Sequence, residues 1–76
     1  MHPHPQWFQA MDVLDEAFET LVKADHAMRA GESLAAEAGD LSLAMETLLR
    51  REAIARERSA FHTLLMRGTD VRAGEA

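Results

Sequence analysis

Residues 41–66 read LSLAMETLLRREAIARERSAFHTLLM, and this stretch decides the fold. At about 100° per residue around a helix axis, Leu41, Met45, Leu48 and Leu49 fall together, with Ala55 and Met66 close by. Leu43, Ile54, Phe61 and Leu65 fall on roughly the opposite side, flanked by Ala53, Ala60 and Leu64. A surface helix carries one apolar face. A helix with two is central in a bundle or offers its second stripe to another chain. Gly39-Asp40 supplies a breaker and an N-cap carboxylate for the first free backbone N–H groups. Arg67-Gly68 supplies a cation and a helix stop. The spacing predicts a helix over 41–66, about 39 Å long.

Working outward, residues 6–30 read as a second helix. Trp7, Met11, Leu14, Phe18, Leu21, Asp25 and Met28 alternate in steps of four and three, a heptad seam broken only by Asp25. Phe8 and Val22 widen this seam. Pro5 suits a first helical position, where its missing N–H costs nothing. Arg29 and Gly31 suggest the end of this helix, and residues 31–39 (GESLAAEAG) read as a connector with at most a helical turn or two. Helices of similar length joined this way lie antiparallel. The expected fold is all-α: an antiparallel two-helix hairpin, 6–30 and 41–66, completed to a four-helix bundle by dimerisation or partner binding. Residues 1–5 are expected as a flexible N-terminus, 6–67 as the hairpin domain, and 68–76 as a flexible tail.

In the expected register Trp7 meets Leu64 and Leu14 approaches Glu57. Trp7, Met11, Leu14, Phe18, Leu21, Met28, Leu41, Met45 and Leu48 then form the core between the helices. Leu43, Ile54, Phe61 and Leu65 are left as the partner or dimer interface. The acidic run Asp12, Asp15, Glu16 and Glu19 is expected beside Arg51, Arg56 and Arg58, although exposed pairs of this kind contribute under about 1 kcal/mol each.

Composition sharpens the need for a partner. The chain has 76 residues, 47% of them hydrophobic, more apolar surface than a lone two-helix hairpin hides. Without cysteine there is no disulfide framework or thiolate metal site. No apolar run approaches the roughly 18 residues of a membrane span, and the N-terminus has no signal-peptide pattern. A soluble, cytoplasmic protein is expected, with no membrane partner. The net charge of −5 is unevenly spread: residues 1–49 carry −7 and residues 50–67 carry +3.

Several chemistries find little support. Arg50, Arg51, Arg56 and Arg58 spread around their helix and interleave with Glu52 and Glu57, whereas phosphate binding wants cations on one face. No nucleic-acid partner is expected. His2 and His4, with the α-amino group, could bind copper or nickel weakly. His26 and His62 lack helical ligand partners at i+3 or i+4, so no metal or other cofactor is expected; His62 reads as a seam-edge residue near Met11 and Met66. No hydroxyl stands in a strained turn beside a base, and no glycine-rich phosphate loop is present. The chain does not read as an enzyme. Asp25 admits two readings: a buried acid that meets a basic partner or fixes register, or a fraying helix-end residue paired with Arg29. The second is preferred.

The stretch AGDLSLAMETLLRREAIARERSAF, following a long amphipathic helix, resembles the hairpin of the small export chaperones of flagellar and type III secretion systems. The matching positions are Ala38, Gly39, Asp40, Leu41, Leu48, Leu49, Arg51 and Glu52. The resemblance implies a helical hairpin that holds a cargo protein, although many such chaperones hold it with a further helix. The residues and the resemblance together lead to a non-enzymatic interaction module, a small adaptor or chaperone acting through apolar helix packing, with itself (a homodimer) or another helical protein as partner. The alternative is an acidic regulator or inhibitor whose face of Asp12, Asp15, Glu16 and Glu19 occupies a basic, nucleic-acid-binding groove of its target.

Overall fold

The computed structural model describes the backbone of residues 4–75 and the side chains of residues 4–68. Within these bounds the chain is two helices, α1 (Pro5–Glu37) and α2 (Leu41–Glu75), packed antiparallel in a rod of 57 × 15 × 15 Å. There are no strands among the described residues.

The start of α1 is set by local chemistry. His4 is extended and accepts the Gln6 backbone N–H at its Nδ1 (3.1 Å), while its carbonyl accepts from Trp7 (2.8 Å). Pro5 stands at the first helical position. His4 and Pro5 therefore belong to the helix start rather than to a flexible leader, and residues 1–3 lie outside the described residues.

Both helices run further than the punctuation of the sequence suggests. α1 passes through Gly31 and takes in most of the expected connector. A mid-helix glycine costs about 1 kcal/mol relative to alanine. The following ESLAAE is rich in strong helix formers, and Glu32 and Ala35 continue the four-three seam, so tertiary packing offsets that cost. Likewise α2 passes Gly68 and its backbone remains helical to Glu75, where a frayed tail is expected from the sequence. Gly68 is buried, and a Cβ built there would run into the Met11 Cε methyl. Its lack of a side chain serves close approach of the helices instead of helix termination.

The turn is only Ala38-Gly39-Asp40. Gly39 takes φ +83°, the sole positive φ among the described residues. The Gly39 N–H donates to Ala36 O (3.0 Å) and the Asp40 N–H to Ala35 O (2.9 Å), the paired bonds of a Schellman C-cap. Asp40 then caps α2: its Oδ1 accepts the Leu43 N–H (3.0 Å) and its carbonyl accepts from Ala44 (3.0 Å).

Candidate interaction surface

The longer α1 moves the register. Asp25 faces Arg58, Glu32 faces Arg51, and Phe18 lies beside His62, with ring centroids 6.1 Å apart. The expected neighbourhood of the acidic run is corrected accordingly. Arg51 and Arg58 are held by Glu32 (3.2 Å) and Asp25 (2.8 Å), while Asp15, Glu16 and Glu19 are exposed. Trp7 and Leu64 do line one cleft, with Met11, Arg67 and Gly68. Trp7 also packs edge-on against Phe8, with centroids 5.0 Å apart.

The seam of α1 holds Trp7, Met11, Leu14, Phe18, Leu21 and Met28 at half-buried positions, with Asp25 and Ala35 buried. On α2 the half-buried or buried row is Ala44, Thr47, Arg51, Ile54, Arg58, Phe61, Leu65 and Gly68, again in steps of three and four. This reverses the expected allocation of the two α2 stripes at all but Leu43 and Leu48. Ile54, Phe61 and Leu65, assigned from the sequence to an outer interface, are half-buried in the hairpin. Leu41 (68% exposed), Met45 (58%) and Leu49 (61%) lie outside, although Leu41 and Met45 were expected in the core. Leu48 is half-buried and Leu43 is exposed. The physical reason is that Arg51 and Arg58 occupy seam positions, where their long stems pack while their guanidinium groups reach carboxylates.

Asp25 is the centre of this polar seam. It is 1% exposed, well inside α1, so the preferred reading of a fraying helix end is overturned, while the Arg29 pairing that belonged to it is present. Its Oδ2 accepts from Arg58 Nη1 across the hairpin (2.8 Å) and from Arg29 Nε on its own helix (3.3 Å). Its Oδ1 is buried with no hydrogen-bond partner among the described residues. The two cross-helix ion pairs stand one heptad apart on both helices. A slip of the helices by any shorter step separates both.

Among the described residues the only buried apolar side chain is Ala35, 6% exposed. Val13, Leu34, Leu41, Leu43, Met45 and Leu49 are all more than half exposed. The accessible surface is 5791 Å², against about 4,600 Å² for a compact monomer of this mass. No group of three or more potential metal ligands occurs among the described residues, and none of their helices is long and apolar enough to cross a membrane. Comparison with known families, with curated proteins and with solved structures found no match.

Proposed function

We propose that this chain is a non-enzymatic interaction module, a small adaptor or chaperone that works in the cytoplasm by packing apolar helix faces against another helical protein or a second copy. The observation that carries this reading is the surplus of exposed large apolar side chains over a core in which, among the described residues, the one buried apolar residue is Ala35. So many exposed large apolar side chains on a small protein leave surface for a partner to cover, and methionines such as Met45 and Met66 adapt to varied partners. The resemblance to export-chaperone hairpins at the turn and the first half of α2 is in keeping with the same role.

The test combines sedimentation over a range of concentrations with binding of an apolar fluorescent dye. Both are repeated near about 1 M salt, where charges are screened beyond about 3 Å. Assembly or dye binding that survives high salt supports the reading. A chain that stays monomeric and binds no dye has no available apolar face, and that result sinks the proposal.

One observation favours a second reading, the acidic regulator. Asp15, Glu16 and Glu19 are exposed, and Arg51 and Arg58, which were expected beside them, are engaged elsewhere. A basic probe peptide should then bind this face tightly at low salt and be released steeply as salt rises. Failure to bind at low salt excludes it.

A further inference from the structure

The seam is not the only periodic row. One residue before the seam positions, α1 carries Thr20, Ala24, Ala27, Gly31 and Leu34, and α2 carries Leu43, Arg50, Ala53, Glu57 and Leu64, with Glu46 and Ala60 in the same row. In antiparallel right-handed helices this offset places both rows on the same flank of the hairpin. The opposite flank of α1 is different in character, with Asp15, Glu19, His26 and Arg29.

Both rows are self-complementary when reversed. On α2, reversal about Ala53 and Ile54 sets Leu43 against Leu64 and Arg50 against Glu57. On α1, reversal about Ala27 and Met28 sets Ala24 against Gly31 and brings Thr20 within one residue of Leu34. The two centres belong to different helices, yet they lie at one level of the rod. Asp25 against Arg58 and Phe18 against His62 place Ala27 beside residues 53–56, the stretch that contains Ile54. A single two-fold axis perpendicular to the helices therefore satisfies both rows.

We infer that this flank is the contact between two copies of the chain, related by a two-fold axis through the level of Ala27 and Ile54. The inference rests on the helix-packing reading above and names its partner. Each α1 lies antiparallel to the partner's α1 and each α2 to the partner's α2, the regular arrangement of an antiparallel four-helix bundle. Arg50 meets the partner's Glu57, and Glu57 the partner's Arg50. Both are exposed and without an ion-pair partner among the described residues. Ala24, Ala27 and Gly31 let the two α1 backbones approach closely. Gly31 otherwise has no role: its φ is not positive, and a Cβ there meets nothing within 4 Å in the hairpin. The surface in excess of a compact monomer, roughly 1,200 Å², exceeds the approximately 800 Å² that each partner of a standard interface covers. The acidic flank stays outside the contact.

The test uses exposed positions, so that the hairpin itself folds in every variant, as circular dichroism would verify. Sedimentation gives the dimer dissociation constant for the parent, Glu57→Arg, Arg50→Glu and the double variant. Each single change sets like charges opposite one another and should weaken the dimer about tenfold or more, and the double variant should restore it. The chain has no native cysteine, so Ala27→Cys should crosslink to its copy on mild oxidation, while Met45→Cys on the other flank should not. A dimer indifferent to Glu57→Arg, or one that crosslinks through Met45→Cys and not Ala27→Cys, overturns the arrangement. A monomer that still binds the apolar dye overturns self-association and leaves the helix-packing reading standing.

Discussion

Asp25, 1% exposed, receives Arg58 Nη1 from the opposite helix at 2.8 Å, and this pair sits one heptad from its counterpart, Glu32 with Arg51 at 3.2 Å. Among the described residues the Asp25 carboxylate is satisfied on one oxygen only. Burying a charge costs several kcal/mol, which pairing offsets only when the remaining lone pairs are also met. The pair thus secures orientation and register more than it adds stability.

Two substitutions separate these roles. Arg58→Ala leaves the buried carboxylate with only Arg29, whose side chain is 57% exposed, and should destabilise the hairpin by about 2 kcal/mol. Asp25→Leu removes the charge and fills the seam with apolar volume, and should stay within about 1 kcal/mol of the parent. Urea unfolding measures both. A larger loss for Asp25→Leu than for Arg58→Ala would show that the pair is a net source of stability.

The same change at two glycines should have opposite signs. Gly39→Ala forces a side chain into the left-handed region and should cost about 1–2 kcal/mol. Gly31→Ala, in open helical space, should raise the stability of the monomer by about 0.5–1 kcal/mol. Thermal midpoints at concentrations low enough to keep the chain monomeric test the pair. For a domain of this size 1 kcal/mol moves the midpoint by about 4–8 °C.

Removing the cap carboxylate with Asp40→Ala should cost about 1 kcal/mol. The loss should be concentrated at the turn. Hydrogen exchange of the Leu43 amide, which donates to Asp40 Oδ1, should quicken before that of amides near Asp25. Uniform quickening along both helices would contradict this.

The reversed α2 stripes are open to direct test. Polar replacements of Leu41, Met45 and Leu49, all more than half exposed, should each change stability by under about 0.5 kcal/mol. Ile54→Asp or Phe61→Asp places a carboxylate in the half-buried seam and should cost about 2 kcal/mol or more. Equal sensitivity of the two stripes would refute the observed register.

Much of this architecture is legible in the residues. The four-three rhythm from Trp7 to Met28 marks α1 and its inner face, and Gly39-Asp40 marks the turn. The rest is obscured by residue types that work against their usual roles. Gly31 and Gly68 look like helix stops, yet one lies in a helix interior and the other makes room for Met11. The continuation of the α1 seam is carried by Glu32 and Ala35, which show no hydrophobic signal. Two arginines in the α2 seam hide its true rhythm, while Leu41, Met45 and Leu49 simulate another. Once α1 is read as too short the register shifts, and the acidic run is matched with arginines that bind Asp25 and Glu32. Asp25 stands out in the sequence as an anomaly, but its burial depends on a helix that continues well beyond it.

Asp40 completes the C-cap of α1 and begins the N-cap of α2, so no slack residue separates the helices. Their rotational phases are coupled: neither helix can roll about its axis without carrying the other. One residue inserted between Gly39 and Asp40 would separate the two caps, uncouple those phases and free Arg51 and Arg58 to turn from their carboxylates. The three-residue turn therefore acts as a phase key, selecting which faces of two long helices meet and which remain to be offered outward.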